Sequence, residues 1–160
     1  MNPGLPKKRL KSFQRLWSVL ERFLPMTPFL DTSVLIRFQK TFRRLRELGD
    51  VKVPVVSVAE FARGIHETEN PRLKNRAERF LSRQIAALPV VDFDFAAARA
   101  WAILVRALKD AGQTMKFGDS LIAAQCLAHN VPIVTSDEDF DRVPGLEVIK
   151  LEDLPAETGT

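Results

Sequence analysis

Between residues 29 and 150, five short apolar or β-branched runs alternate with stretches of helical periodicity, and this alternation leaves few architectures open. The runs at 29–30, 51–56, 90–91, 131–135 and 146–150 read as strands, the last following the turn Pro144-Gly145. Pro54 interrupts the second run, which predicts an edge position or a short strand. Strands that alternate with helices need crossovers, and crossovers cover both faces of a parallel sheet. The expected class is α/β with a mostly parallel five-stranded sheet.

The helices follow from spacing and punctuation. Val34, Phe38, Phe42, Leu45 and Leu48 recur at helical intervals, predicting an amphipathic helix from Ser33 to about Leu48, stopped by Gly49. Ser57 opens a second helix that runs to about Glu67. After the break at Asn70-Pro71, a helix over 72–88 turns Leu73, Ala77, Phe80, Leu81 and Ile85 inward. Asp94 caps a helix over 95–111 with Phe95, Ala98, Ala102, Val105 and Leu108 on one face, closed by Gly112. A last helix spans 119–129.

At 160 residues the chain has room for one domain with a sizeable core. Its 46% hydrophobic and 28% charged content predicts a globular protein in water. Cys126 is the single cysteine, so no disulfide framework and no thiolate zinc cluster can form within one chain. Two histidines leave little for a His-rich metal site. No run approaches the roughly 18 apolar residues of a membrane span, and no signal-peptide core is evident. The expected location is the cytoplasm.

Charge divides the chain at its start. Residues 1–25 carry Lys7, Lys8, Arg9, Lys11, Arg15 and Arg22 against Glu21 alone, a net +5 that leaves −1 for residues 26–160. Leu10, Phe13, Trp17, Leu20 and Leu24 fall on one helical face of that segment. It suits a partner-docking helix, a binder of anionic surfaces or an arm that grips RNA; equally, Met26 could be the true start. The division expected is therefore a basic amphipathic extension over 1–25, a domain over 26–153 and a frayed tail over 154–160.

Four acids punctuate the domain. Asp31 ends strand one, Glu60 lies in the first turn after strand two, Asp119 opens the last helix, and Asp137 follows strand four. Each has a structural explanation: Ser57 and Glu60 form a capping-box pattern, Asp31 and Asp119 can cap the helices beside them, and Ser-Asp-Glu-Asp is a common acidic turn. In a parallel sheet, however, Asp31, Glu60 and Asp137 approach one rim, and Asp119 joins them if its helix begins there. Clustered carboxylates repel unless a cation lies among them, and oxygen ligands select Mg²⁺ or Mn²⁺ over zinc.

The ordered motifs DTSVL (31–35), SVAEFARG (57–64), GDSLIAAQCL (118–127) and VTSDEDF (134–140) resemble those of the PIN-domain ribonucleases, most closely the VapC toxins of bacterial toxin-antitoxin systems. The resemblance covers about residues 28–150. It implies a three-layer α/β/α, Rossmann-like PIN fold, an acidic Mg²⁺ site and endoribonuclease activity leaving a 5′-phosphate and a 3′-hydroxyl. It also places Asp119 within the acidic site. Carried over by position, the catalytic quartet is Asp31, Glu60, Asp119 and Asp137, with Asp139 a further acid in the same turn. Asp31 and Asp119 are the main metal ligands on this reading, Asp137 completes the shell, and Glu60 orients or deprotonates the attacking water. Ser33 and Thr135 are hydroxyls that would orient these groups.

An acidic pocket needs a basic rim to attract a polyanion, and Arg37, Lys40, Arg44 and Lys116 are the candidates. The resemblance further implies an RNA substrate, a small antitoxin partner and homodimerisation through the early helices. Two other classes stand beside it. One is a phosphatase-like enzyme with Asp31 as nucleophile, which the Ser33 two residues later disfavours. The other is a non-catalytic module of the same fold that binds RNA or protein.

Overall fold

The computed structural model describes residues 26–46 and 48–154, without the side chains of residues 39, 40, 42 and 43. The 1–25 extension, the tail beyond residue 154 and the side chains of Phe42 and Lys40 therefore lie outside the described residues.

The elements run β1 (Phe29–Leu30), α1 (Thr32–Arg46), β2 (Val53–Pro54), α2 (Val55–Glu67), α3 (Pro71–Arg83), β3 (Val90–Val91), α4 (Phe95–Asp110), α5 (Phe117–His129), β4 (Ile133–Thr135) and β5 (Val148–Lys150). Short 3₁₀ turns lie at Ile85–Ala87, Glu138–Arg142 and Leu151–Asp153. All strand pairings are parallel. β1, β4 and β5 form one ladder and β2 and β3 another. A single bridge from Phe29 to Lys52 links them, with Leu30 N donating to Lys52 O at 2.9 Å. The strands thus stand in the order β3, β2, β1, β4, β5, with the seam at β1–β2.

That seam explains Pro54. β2 is not an edge strand; it is a short one, flanked by β1 and β3. Pro54 closes it and serves as N-cap of α2, where a missing N–H costs nothing to the helix. The helix consequently begins at Val55, two residues before the Ser57 start expected from sequence, and the capping box does not form. Ser57 is buried and its hydroxyl has no hydrogen-bond partner among the described residues.

Alternation along each strand sends neighbours to opposite faces, and two cores result. Leu30, Val53, Val134 and Ile149 pack with Val34, Leu35 and Phe38 of α1 and with Phe80 and Ile85. Phe29 and Ile133 pack on the other side with Leu104 and Leu108 of α4, Ile122 and Cys126 of α5, and Phe140. Each such side chain contributes about 1.5–3 kcal/mol when fully buried. The sheet is covered on both faces, giving an α/β/α sandwich. Burial pushes the Cys126 thiol far above its usual range, as suits a core residue.

Two helices depart from expectation. In α4 the inward residues are Ala97, Leu104 and Leu108, whereas Phe95, Ala98, Ala102 and Val105 are exposed. Arg99, Arg106 and Asp110 share one exposed face at helical spacing, and Ala97, Leu104 and Leu108 lie opposite them against α5; the expected face lies too close to this charged stripe. The helix expected over 72–88 ends at Arg83, and its first turn leaves Leu73 exposed. Asn70 caps that turn, accepting from Arg72 N at 3.0 Å and Leu73 N at 3.3 Å.

Candidate metal and active site

The carboxyl ends of β1 and β4 lie side by side, and each is followed immediately by a polar turn. Asp31 N donates to Val134 O at 3.0 Å, which locks the two strand ends together. Asp31 is 2% exposed. Its Oδ2 accepts from Ser33 Oγ at 2.7 Å, Ser33 N at 3.2 Å and Thr135 Oγ1 at 2.8 Å. Its Oδ1 is buried with no hydrogen-bond partner among the described residues. One oxygen is held by three donors while the other is kept free. The carboxylate is thereby held in one orientation, with Oδ1 aimed at whatever occupies the rim.

Asp119 reaches the same rim from α5, because that helix begins at Phe117 beside the strand ends. It is buried too, and its Oδ2 also lacks a hydrogen-bond partner. Burial first, then the charges of Asp31, Glu60 and Asp137, push its carboxyl up to about 6, against the opposing pull of Lys116. The four acids therefore share one field. The helix-cap explanation fails for Asp119, which lies inside the first turn of α5 behind Lys116.

Glu60 comes from the first turns of α2 and is steered by a residue that sequence reasoning missed. Thr32 Oγ1 donates to its Oε2 at 2.7 Å. Its other oxygen crosses Gly118 so closely that a Cβ there would fall 1.8 Å from Oε1. Gly118 thus makes room for Glu60 beside Asp119. The only trace of this in the sequence is a glycine in the first turn of a helix, where a side chain would ordinarily be preferred.

The turn after β4 supplies the remaining acids. Thr135 Oγ1, besides donating to Asp31, accepts from Asp137 N at 2.9 Å, and Ser136 N donates to Ser33 Oγ at 3.1 Å. Asp137 Oδ1 accepts from Asp139 N at 2.9 Å. Asp119, Asp137 and Asp139 each offer an oxygen within 4.8 Å of the others. Asp139, the further acid of that turn, thus stands with the other two, although it also pairs with Arg142. Lys150 braces the turn from behind, donating to Asp137 O at 3.1 Å and pairing with Asp141 at 2.7 Å.

The basic candidates separate. Lys116 Nζ sits 3.7 Å from Asp119 Oδ2 and 3.6 Å from Asp137 Oδ2, and both charges raise its pKa. It bridges the acids rather than standing apart from them. Arg37 lies at the rim, with Nη1 3.4 Å from Ser136 Oγ and 3.3 Å from Glu152 Oε1. Arg44 is half-buried. His129 lies at the opposite end of α5, paired with Asp94 at 3.4 Å.

An all-oxygen donor set, with two buried carboxylate oxygens that accept no hydrogen bond among the described residues, fits a hard divalent cation. Leaving both uncompensated would cost far more than an ordinary surface acid does. The PIN-domain family model matches residues 29–146. The chain belongs to the PIN-domain family. Within it the chain is 35% identical to ribonuclease VapC4 of Mycobacterium tuberculosis over 124 residues, covering 76% of this chain and 94% of that one. Ribonuclease VapC5 of the same organism is 28% identical over 134 residues, covering 79% of this chain and 95% of the relative. Among solved structures, VapBC-5 of M. tuberculosis, a member of the VapBC family of toxin-antitoxin systems, superposes with a TM-score of 0.64 at 26% identity. That match covers 78% of this chain and 98% of the other. VapBC2 of Rickettsia felis, solved on a promoter DNA fragment, superposes with a TM-score of 0.68 at 22% identity, over 78% of this chain and 98% of the other, which bears on the fold alone. The α/β/α sandwich is thus the PIN fold, and its acidic rim has the donor set to hold a divalent metal.

Proposed function

We propose that this PIN-domain protein is the toxin of a type II toxin-antitoxin pair, a Mg²⁺-dependent endoribonuclease that cleaves RNA phosphodiester bonds. The observation that carries the reading is the pair of buried oxygens, Asp31 Oδ1 and Asp119 Oδ2, that accept no hydrogen bond among the described residues at one rim of a PIN domain. VapC relatives named as ribonucleases support the activity, and neighbours solved as VapBC assemblies support an antitoxin partner.

Asp31, Asp119 and Asp137 would hold Mg²⁺ or Mn²⁺, with Asp139 available as a further ligand. When bound, such an ion makes a water reactive near neutral pH and neutralises charge building on the phosphate. The chain's own groups do the rest. Glu60, held by Thr32, orients the attacking water and takes its proton. The water oxygen bonds to phosphorus, the P–O3′ bond breaks, the leaving O3′ takes a proton from solvent, and the products are a 5′-phosphate and a 3′-hydroxyl. Lys116, 73% exposed, turns its ammonium from the acids to the incoming phosphate, and Arg37 and Arg44 extend the positive rim. Thr135 and Ser33 keep Asp31 aimed inward.

The protein acts in the cytoplasm on this reading, as a homodimer restrained by a small antitoxin that covers the acidic site. Among the described residues no helix is long and apolar enough to cross a membrane. The test is incubation of purified, antitoxin-free protein with total bacterial RNA in Mg²⁺, Mn²⁺ or EDTA, beside Asp119→Asn, with RNA ends mapped by sequencing. Discrete cuts that need both metal and Asp119 are expected. Binding of RNA with no turnover by folded, metal-loaded protein would replace this reading with a non-catalytic PIN module.

A further inference from the structure

Phe117 is a large apolar side chain left 68% exposed within two residues of Asp119. Its neighbours in the chain both face the acids: Lys116 bridges Asp119 and Asp137, and Gly118 lies against Glu60. Phe117 itself turns the other way, onto Trp101 of α4. The two rings meet edge-on, with centroids 5.8 Å apart and planes at 87°. Trp101 is fixed in turn, since its Nε1 donates to Ser120 Oγ at 2.9 Å and that hydroxyl donates to Phe117 O at 2.7 Å. The edge contact braces the phenyl ring and leaves a ring face in solvent.

The geometry points to Phe117 as a stacking platform for an unpaired RNA base next to the scissile phosphate, an inference that rests on the nuclease reading above. An exposed aromatic ring beside a cation is the combination that binds single-stranded nucleic acid: the ring takes a base, and the Lys116 ammonium, which pairs with Asp119 and Asp137 here, takes a phosphate when those acids are occupied by metal. Lys116 supplies the charge complement, and its attachment to the next residue sets the base one step from the cleaved bond. A phenyl face carries no hydrogen-bonding groups, so the platform holds any unpaired base and excludes a base kept within a duplex. It positions RNA by its strandedness rather than by its letter.

The experiment measures the Kd of full-length protein for a fluorescein-labelled single-stranded RNA, with Ca²⁺ in place of Mg²⁺ to suppress turnover. Phe117→Ala is expected to weaken binding about 5- to 100-fold, the span of one base–aromatic stack. Phe117→Tyr and Phe117→Trp retain affinity, whereas Phe117→Leu, apolar but without a π face, does not. In a Trp17→Phe background, single-stranded RNA changes the emission of Trp101, and a hairpin with no unpaired base does not. Circular dichroism of each variant confirms folding, which an exposed ring should not alter. Unchanged affinity in Phe117→Ala overturns the stacking role while RNA cleavage by the wild type leaves the nuclease reading standing. Full affinity in Phe117→Leu also overturns it. A loss confined to oligomeric mass or antitoxin capture overturns it in favour of a protein contact. Wild-type protein that neither binds nor cuts RNA removes the nuclease reading and this inference together.

Discussion

The two ends of the sheet are built from the same materials and come out differently. At the carboxyl end, Asp31 and Asp119 are buried, each with an oxygen that accepts no hydrogen bond among the described residues, and Glu60 and Asp137 add charge to the same field. At the amino end lies a concavity of about 450 Å³, lined by Met26, Phe29, Lys52, Val91, His129 and Val131 among others. There the nearby acid, Asp94, lies 3.4 Å from His129 Nε2 and caps α4, accepting from Ala97 N at 2.8 Å. His129 in turn rests against Phe29, with ring centroids 5.7 Å apart. Concavity thus does not mark the site; unsatisfied charge does. Asp94 at the amino end has its partners in Ala97 N and His129, whereas the acids of the carboxyl end are arranged for a partner the chain does not supply.

The largest test of this contrast is charge removal at one end. Asp31→Asn or Asp119→Asn should abolish RNA cleavage and growth arrest while leaving the thermal midpoint unchanged or raised, because repulsion among buried acids falls. Growth arrest at wild-type protein levels would count against the metal assignment. Next comes Gly118→Ala, whose added Cβ displaces the flexible end of Glu60. Its cleavage rate should collapse with little change in melting temperature, separating Glu60 positioning from folding.

Smaller effects sharpen the comparison. Thr135→Val removes a hydrogen bond to Asp31 and should weaken Mg²⁺ binding about 10- to 100-fold, read by calorimetry. An unaltered metal affinity would show that Asp31 does not need its hydroxyl support. The pH response follows from Asp119, whose folded-state carboxyl is raised to about 6, above its unfolded value. Its protonated form stabilises the fold. Metal-free protein should therefore gain stability as pH falls from 7 through 6 toward 4, and lose it as pH rises. Metal affinity should move oppositely, dropping below pH 6, because binding needs the ionised acid. The smallest effect is at the amino end: His129→Gln should leave cleavage intact and cost about 0–1 kcal/mol of stability, as partly exposed ion pairs do.

Several features could be read from the chain alone because they depend on near neighbours. The strand-helix alternation, the breaks at Asn70-Pro71 and Gly112 and the Asp94 cap all follow from local pattern, and the ordered motifs alone resemble those of the PIN domains. The convergence of Asp31, Glu60 and Asp137 on one rim followed from parallel topology. The face that α4 buries was legible but missed: Arg99, Arg106 and Asp110 mark its solvent side, which puts Phe95 beside the charges and Leu104 opposite them. Other features depended on what lies across space. Ser57 looked like a cap and became a buried helical residue, because Pro54 ended β2 early. Thr32, Gly118 and Lys150 carry no local signature of their roles. Their task is to hold a partner tens of residues away, and only the folded chain brings Thr32 to Glu60 or Lys150 to Asp137. Sequence thus determined the order of elements and the chemistry available at their ends. Tertiary structure decided which oxygens were satisfied and which were left free, because that depends on donors brought together by the sheet.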